Sequence, residues 1–410
     1  MTGYGPLIPP DSYEQRPLRQ QVLERIRATG QAARIDIAKS LNISPGTVTQ
    51  ITSDLISMGL IEEVQAADTG IVRGRPRVAL GMRADAHLVV GIKLSDVLDS
   101  AVIVDSTGKT LAEAALPCRP TLHSTEDILA RTARTLDAVL SVGGLERGDI
   151  SAIGLGLPGF IDNVSGFVHW SPIMMDRGVG LRDMAQKHLG VSVHIDNDAN
   201  LVALAELWFG TERERSDFVV VTIEHGLGMG VVLNHRLYRG ARGCGLEFGH
   251  TKVQLDGALC RCGQRGCLEA YVADYALVRE AATALGWLGD PSLASGQVLE
   301  QLFEQAKAGN MAARSIFHRA GRYLALGLAN LVNLFDPSLI ILSGERMDYD
   351  YLYAEEVIAD MRRSSIHLET PPPEIRTHRW GDLLWAKGAA ALAMSGLSEE
   401  IISMASEAAE

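Results

Sequence analysis

The most restrictive feature of this 410-residue chain is one histidine and three cysteines at close spacing. Nine residues separate His250 from Cys260, one separates Cys260 from Cys262, and four separate Cys262 from Cys267. Three thiolates and an imidazole are a closed tetrahedral ligand set for Zn²⁺, with no position left for water. Two glycines between the last two cysteines permit the tight loop that such a site needs. The spacing therefore predicts a structural zinc ion, the alternative being three buried free thiols.

The remaining cysteines and the termini bear on the compartment. Cys118 and Cys244 have no partner at a useful spacing, and the N-terminus has no basic stretch followed by an apolar one. The sequence contains no run of eighteen apolar residues, so no membrane span is predicted. We therefore expect a cytoplasmic protein with reduced cysteines and no membrane partner.

The net charge of −12 is distributed unevenly along the chain. Residues 16–80 hold nine arginines and lysines against six acidic residues, whereas residues 81–410 carry a net charge of −13. An acidic surface repels phosphate backbones, so contact with nucleic acid is expected only in the first eighty residues.

Those first residues have the pattern of a helix-turn-helix. Apolar residues recur at four-residue steps after Pro17, a second short helix fits residues 34–40, and residues 41–43 form the turn. Ser44 is a good N-cap for a third helix that begins at Pro45. Small polar side chains on its outward face suit contact with base edges in a major groove. The candidates are Thr47, Thr49, Gln50 and Ser53.

A basic hairpin follows the three helices. Residues 60–64 and 77–80 are expected to pair as strands, and the connecting segment carries Arg73, Arg75 and Arg77. Such a wing neutralises phosphates or enters a narrow minor groove. The alternatives are a helical subdomain without a DNA role and a solvated arginine-rich linker. The ordered combination predicts a winged helix-turn-helix over residues 17–80, preceded by a flexible tail over residues 1–16.

Strand and helix patterns alternate through the remainder, which indicates a layered α/β architecture. Two lobes are expected in the domain 81–410: lobe one about 81–196 plus 380–410, and lobe two about 197–379. Ligands of such domains bind on strand-end loops between the lobes.

The segment from Leu246 to Glu269, which contains the metal-binding spacing, closely resembles the signature of the ROK family (repressors, open reading frames, kinases). The resemblance extends over nearly the whole chain and implies an actin-like, sugar-kinase-like (ribonuclease H-like) fold. The N-terminal fusion is similar to the family's sugar-sensing repressors of carbohydrate-utilisation genes. This branch implies operator DNA as a partner, a sugar effector, and a homodimer or homotetramer.

The resemblance also implies a set of sugar-binding residues. Carboxylates accept hydrogen bonds from sugar hydroxyls, and an asparagine amide both donates and accepts them. A histidine that ligates zinc through one ring nitrogen can turn the other toward a sugar oxygen. For Asn197 and Asp198 the alternative role is capping of a helix, and for Glu247 and Glu269 it is that of ordinary surface acids. The set is Asn197, Asp198, Glu247, His250 and Glu269, with Gly159 in a turn that closes over the sugar.

Kinase activity is not expected, although Asp198 stands where the family's kinases keep their catalytic base. Lys93 occupies the position of an acidic residue in the first phosphate loop, and Glu224 occupies that of a small residue in the second. Asp198 is therefore interpreted as a vestigial base, and no catalytic residue is assigned. The alternative is an ATP-dependent sugar kinase with an appended DNA-binding domain. The sugar or phosphosugar, the operator, any partner protein and the sign of the response stay open.

Overall fold

The computed structural model describes residues 3–9, 16–65, 78–286, 295–344, 355–366, 369, 371–378 and 383–407. The chain forms two compact units. The first comprises Met1–Ser216, Val232–Cys244 and Asp382–Glu410, and the second comprises Asp217–Val231 and Gly245–Gly381. No helix among the described residues is long and apolar enough to cross a membrane.

The N-terminal part of the first unit is a winged helix-turn-helix, as predicted. A three-stranded antiparallel sheet of order β1-β3-β2 packs with three helices. The Ser44 side chain accepts a hydrogen bond from the Thr47 amide, which confirms the predicted N-cap. The elements are α1 (Leu18–Thr29), β1 (Gln31–Ala32), α2 (Arg34–Leu41), α3 (Pro45–Ser57), β2 (Ile61–Gln65) and β3 (Val78–Met82).

Strands β2 and β3 form the predicted hairpin, with Ile61 paired to Met82 and Gln65 paired to Val78. Its tip, with Arg73, Arg75 and Arg77, lies outside the described residues.

The first unit continues with a five-stranded sheet of order β10-β7-β4-β5-β6. Strands β4, β5 and β6 are antiparallel neighbours, whereas β4, β7 and β10 run parallel. The elements are β4 (Leu88–Lys93), β5 (Leu98–Asp105), β6 (Thr110–Pro117), α4 (Thr125–Gly143), β7 (Ile150–Leu157), β8 (Phe160–Asp162), β9 (Phe167–Trp170), α5 (Leu181–Leu189), β10 (Ser192–Asn197), α6 (Asp198–Phe209), β13 (Arg236–Tyr238) and α12 (Leu384–Glu407).

The second unit contains a sheet in which β12, β11, β14 and β15 follow one another, with β11, β14 and β15 parallel. The described part of the unit also contains five α-helices, several of them rich in alanine and leucine. The elements are β11 (Phe218–Ile223), β12 (Leu227–Leu233, whose last two residues belong to the first unit), α7 (Glu269–Val272), α8 (Asp274–Ala284), α9 (Ser295–Lys307), α10 (Met311–Phe335), β14 (Leu339–Ser343), α11 (Glu355–Ser364) and β15 (Glu374–Thr377).

Helix α12 packs on the first sheet at unusually close range. Gly91 on β4 and Gly154 on β7 are cross-strand partners beneath it. A Cβ atom on Gly91 would lie 1.9 Å from the carbonyl oxygen of Ala386, and one on Gly154 would lie 1.8 Å from that of Ala389. The missing side chains therefore let helix backbone rest directly on sheet backbone.

The flexible tail predicted for residues 1–16 is wrong for residues 3–9. Tyr4 is 6% exposed and Ile8 is 1% exposed. The Tyr4 hydroxyl donates to the carbonyl oxygen of Ser106 at 2.8 Å, and its ring stacks on Phe209 at the end of α6. The Pro- and Gly-rich composition suggested fraying, but a buried aromatic ring with a satisfied hydroxyl holds the segment in place.

The same segment ties the DNA-binding helices to the rest of the first unit. The Arg213 guanidinium donates to the carbonyl oxygens of Gly5 and Ala28, each at 2.7 Å. Ile8 and Ile402 of α12 both belong to the hydrophobic core of the winged helix-turn-helix. This core is therefore completed by residues from both ends of the chain.

We predict that Gly154→Ala destabilises the protein, because the added methyl group meets the α12 backbone, which cannot move without displacing the helix. Overpacking of this kind costs about 1–3 kcal/mol of the free energy of unfolding. Chemical denaturation measures the change. Gly148→Ala is the matched control, since a Cβ atom there meets nothing within 4 Å. Equal stability of the two variants would contradict the proposed close packing.

Candidate functional site

The four predicted metal ligands come together in the second unit. One ligand atom from each of His250, Cys260, Cys262 and Cys267 lies within 4.8 Å of the other three. The Cys262 and Cys267 sulfurs are 3.8 Å apart, and the Cys260 sulfur is 3.6 Å from His250 Nδ1. The cluster could hold a metal ion.

Local backbone geometry explains how this stretch forms the cluster. A short 3₁₀ helix, Phe248–His250, carries the histidine. A Cβ atom on Gly249 would lie 2.2 Å from the Leu227 carbonyl oxygen, so only glycine lets this turn rest against β12. Gly263 and Gly266 both have positive φ, at +91° and +76°, as expected of a tight loop between ligands.

Side chains that sequence reasoning missed surround the cluster. Lys252 Nζ lies 2.9 Å from the Cys267 sulfur, and the Tyr275 hydroxyl lies 3.5 Å from the Cys260 sulfur. The lysine supplies positive charge beside the thiols. Burial lowers the pKa of His250, which favours the neutral imidazole that a metal requires. Lys252 is two residues from His250 in sequence, but spacing alone does not distinguish it from a surface lysine.

Glu269 is not a surface acid, so that alternative is wrong for this residue. It is 9% exposed, and its carboxylate accepts a hydrogen bond from the Leu227 amide at 3.3 Å. Its other oxygen lies 3.3 Å from the Tyr275 hydroxyl and 3.5 Å from the Cys260 sulfur. Glu269 thus joins the cluster to the turn that begins β12.

Glu247 is half-buried and precedes the 3₁₀ helix that carries His250. The amide of His250 donates to the Glu247 carbonyl oxygen at 3.0 Å. Leu246 has φ +69°, a left-handed conformation that a branched side chain rarely adopts. Strained backbone of this kind is found at functional sites, where surrounding contacts hold it.

The other candidate ligand-binding residues lie in the first unit. The Asn197 side chain accepts from the Asn200 amide at 2.8 Å, so Asn197 is the N-cap of α6 and Asp198 is its first residue. The alternative role of Asn197, capping of the following helix, is therefore confirmed. The cap uses only the Asn197 carbonyl oxygen, so it does not exclude ligand binding by the amide nitrogen.

A buried ion pair that the sequence did not reveal fixes this segment. Asp196 is fully buried, and Arg239 donates to its carboxylate from two nitrogens at 2.7 Å. The same carboxylate accepts from the Asn200 side chain and the Asn197 amide, each at 2.8 Å. Four contacts to one carboxylate hold the start of α6 in a single position.

Parallel pairing places other candidates at the same sheet edge. Asn197 pairs with Leu157, and Gly156 pairs with Lys93, so the ends of β4, β7 and β10 lie side by side. Gly159, just beyond β7, has φ +129° and no space for a side chain, because a Cβ atom would lie 2.2 Å from the Trp170 carbonyl oxygen. This edge is where ligands bind in parallel α/β sheets.

The Lys93 side chain contacts an aromatic ring at this edge. It is 7% exposed, and its ammonium group lies 3.9 Å from the centre of the Trp385 ring on α12. This cation–π contact stabilises the buried positive charge of Lys93.

The candidate DNA-contacting face of α3 is accessible. Thr49, Gln50 and Ser53 are exposed, and Thr47 is half-buried. The Thr49 hydroxyl donates to the Pro45 carbonyl oxygen at 2.8 Å. Gln50 thus presents both a donor and an acceptor on the exposed face.

Comparisons with known proteins agree with this architecture. Residues 91–395 match the ROK family, and residues 15–62 match the winged helix-turn-helix DNA-binding family. A xylose repressor from Caldicellulosiruptor bescii is 27% identical over 342 residues, covering 82% of this chain and 85% of the repressor.

Two solved structures separate the regulator and kinase architectures. A ROK family transcriptional regulator, described as a homologue of the Escherichia coli MLC protein, superposes with a TM-score of 0.77 at 26% identity, over 94% of this chain and 97% of its own. A Streptomyces griseus ROK family glucokinase, solved with glucose and AMPPNP, gives a TM-score of 0.64 at 30% identity, over 75% of this chain and 100% of its own. The whole glucokinase thus corresponds to three quarters of this chain, and the regulator to nearly all of it. Since the match to the ROK family spans residues 91–395, about three quarters of the chain, this protein belongs to the ROK family.

Proposed function

We propose that this protein is a DNA-binding transcriptional regulator, a repressor of carbohydrate-utilisation genes whose operator affinity changes when its ROK domain binds a sugar or sugar derivative. The observation that carries the proposal is the core of the winged helix-turn-helix, which includes Ile402 of α12. Helix α12 also packs on the sheet whose edge holds the first-unit ligand residues. Packing of this kind supplies a physical connection through which ligand binding and DNA binding are coupled.

The DNA contacts follow from the geometry of α3. We assign base contacts to the outward face of α3, and phosphate or minor-groove contacts to Arg73, Arg75 and Arg77 of the wing. The base-contacting candidates are Thr47, Thr49, Gln50 and Ser53. A homodimer or homotetramer in the cytoplasm would place two such helices on a two-part operator. The proposed domain division is a DNA-binding domain over 17–80 and a two-lobed ROK domain over 81–410.

The metal is proposed to be structural zinc. With zinc–sulfur distances of about 2.3 Å and zinc–nitrogen distances of about 2.0 Å, neighbouring ligand atoms of a tetrahedral site lie about 3.5–3.8 Å apart. The observed separations of 3.6 and 3.8 Å fit this geometry. Nδ1 of His250 faces the cysteines, which leaves Nε2 on the opposite side of the ring to orient toward a ligand.

The effector is proposed to be a sugar, bound by Asn197, Asp198, Glu247, His250 and Glu269, with Gly159 in the adjoining turn. The donor set is rich in carboxylates, which suits adjacent hydroxyl groups. The named relatives are associated with different sugars, xylose and glucose. The proposal is therefore limited to this class of ligand.

We predict about one zinc ion per purified chain. Cys262→Ser should abolish zinc retention and lower the melting temperature, because three protein ligands hold zinc less tightly than four. Metal analysis and thermal unfolding measure both effects. Cys244→Ser, outside the cluster, is the control and should retain zinc. Unchanged stability after complete zinc removal would contradict a structural role.

We also predict no transfer of phosphate from ATP to hexoses. By the family resemblance, Lys93 stands at a position where the kinases carry an acidic residue, and the carboxylate of Glu224 would repel a nucleotide phosphate. A coupled assay for ADP release across several hexoses should show no turnover above that of Asp198→Ala. Turnover by the wild type that this substitution abolishes would support the kinase alternative.

The sensing proposal predicts that Asp198→Ala and Glu247→Ala still bind the operator but no longer respond to sugar. The wild-type response is expected to be about 5- to 150-fold in operator affinity, the usual range of coupling between sites. A thermal-shift panel identifies the sugar, selection from random duplexes identifies the operator, and fluorescence anisotropy measures the response.

Gln50→Ala is the complementary control for that experiment. It should keep the sugar-induced thermal shift and lose base preference at one operator position. Sugar responses with unchanged midpoints in both carboxylate variants would place the ligand elsewhere.

A further inference from the structure

We propose that the first unit contains a second ligand site, a cationic cavity that binds a phosphate group, either as inorganic phosphate or as a phosphate ester. The cavity has a volume of about 400 Å³. Its walls come from α1 of the winged helix-turn-helix, from α6, from β13 with the residues after it, and from α12. It is separate from the sugar-binding residues assigned above.

The cavity lining has an excess of positive charge. Five arginines line it against two glutamates, Glu24 and Glu399. Burial raises the pKa of Glu399, whereas the nearby charges of Arg16, Arg239 and Arg236 act to lower it. The arginines are Arg16, Arg27, Arg182, Arg236 and Arg239.

Three of these arginines already have carboxylate partners. Arg16 pairs with Glu24, Arg182 with Asp183, and Arg239 with Asp196. Arg27 and Arg236 form no ion pair with any carboxylate in the part of the chain that the structure describes. Two guanidinium groups are therefore available to an anion, and phosphate matches their donor geometry.

Arg27 is the stronger of the two observations. The residue is only 4% exposed, and its buried Nε has no hydrogen-bond partner among the described residues. Its guanidinium lies 4.2 Å from the centre of the Trp208 ring and 5.8 Å from that of Tyr4, and neither ring carries an anionic charge. Burial of a cation without an anionic partner is unfavourable, so an anion in this cavity would satisfy an existing requirement.

Arg236 faces the same cavity from β13. Partial burial and the nearby charge of Arg16 lower its pKa, although the carboxylates of Glu24 and Glu399 act in the opposite direction. Like charges held close together are the arrangement that proteins use to bind multivalent anions. Arg236 is exposed on an edge strand, so its replacement should leave the fold intact.

The position of the cavity gives an anion access to both parts of the first unit. Arg16 and Arg27 belong to or adjoin α1, which packs in the DNA-binding core. Arg239 holds Asp196, immediately before the proposed sugar-binding residues. A phosphate bound here would therefore contact both the DNA-binding domain and Arg239, the residue that holds Asp196 in place.

The test is titration calorimetry of the full-length protein with inorganic phosphate and, separately, with glucose 6-phosphate, at constant ionic strength. We expect Arg236→Gln to weaken phosphate binding by about tenfold, the effect of one charge-assisted hydrogen bond. Arg119→Gln removes an exposed arginine of the same unit that lies outside the cavity, and should bind as the wild type does.

The comparison of the two probes identifies the source of the phosphate group. Tighter binding of glucose 6-phosphate, lost in Arg236→Gln and kept in Asp198→Ala, would indicate a phosphate ester in the cavity. Equal affinity for both probes with the same arginine dependence would indicate free phosphate.

Three results would overturn the proposal. They are no heat of binding with either probe at millimolar concentration, equal weakening in Arg236→Gln and Arg119→Gln, and binding that depends on Asp198 but not on Arg236. None of these affects the sugar response, so the two proposals fail independently.

Discussion

The first unit depends on the contact between α12 and the central strands of its sheet. Gly91 and Gly154 lie side by side on adjacent strands, and the carbonyl groups of Ala386 and Ala389 occupy the space above them. On another face of the helix, Gly388 approaches the Leu201 carbonyl of α6 just as closely, since a Cβ atom would lie 1.9 Å away. Backbone-to-backbone packing leaves little freedom to slide, so the sheet, α12 and α6 move as one body.

That body reaches the DNA-binding domain at two points. Ile402 near the end of α12 enters the core of the winged helix-turn-helix, and Tyr4 stacks against Phe209 at the end of α6. The two ends of α6 therefore have different roles. Its beginning is fixed by the Asp196–Arg239 ion pair beside the proposed sugar residues, and its end contacts the N-terminal segment. Because α6 is rigid, a displacement of one end of the helix also moves the other end, without any unfolding.

In the second unit, the His/Cys cluster organises a loop that has little regular structure. Glu247 and His250 lie at the two ends of a single 3₁₀ turn, and Glu269 follows directly after the last cysteine and its neighbouring leucine. A metal ion bound by the four ligands would hold all three proposed sugar-binding residues of this unit through one covalent framework. Their precision would then come from coordination rather than from burial of a large core.

The sequence by itself determined the winged helix-turn-helix, the hairpin pairing, the alternating α/β architecture and the four members of the His/Cys cluster. These features depend on local periodicity, capping and ligand spacing, which are patterns of residues close together in the sequence. The tertiary structure decided the burial of Tyr4, the ion pair of Asp196 with Arg239 and the cation–π contact of Lys93 with Trp385. It also decided that Arg27 has no ion-pair partner in the described part of the chain. Each of the three contacts joins residues that are distant along the chain. For Arg27, no local sequence pattern specifies which residue would pair with its charge. Long-range packing chooses such contacts from many that are chemically equivalent, so only the folded chain identifies them.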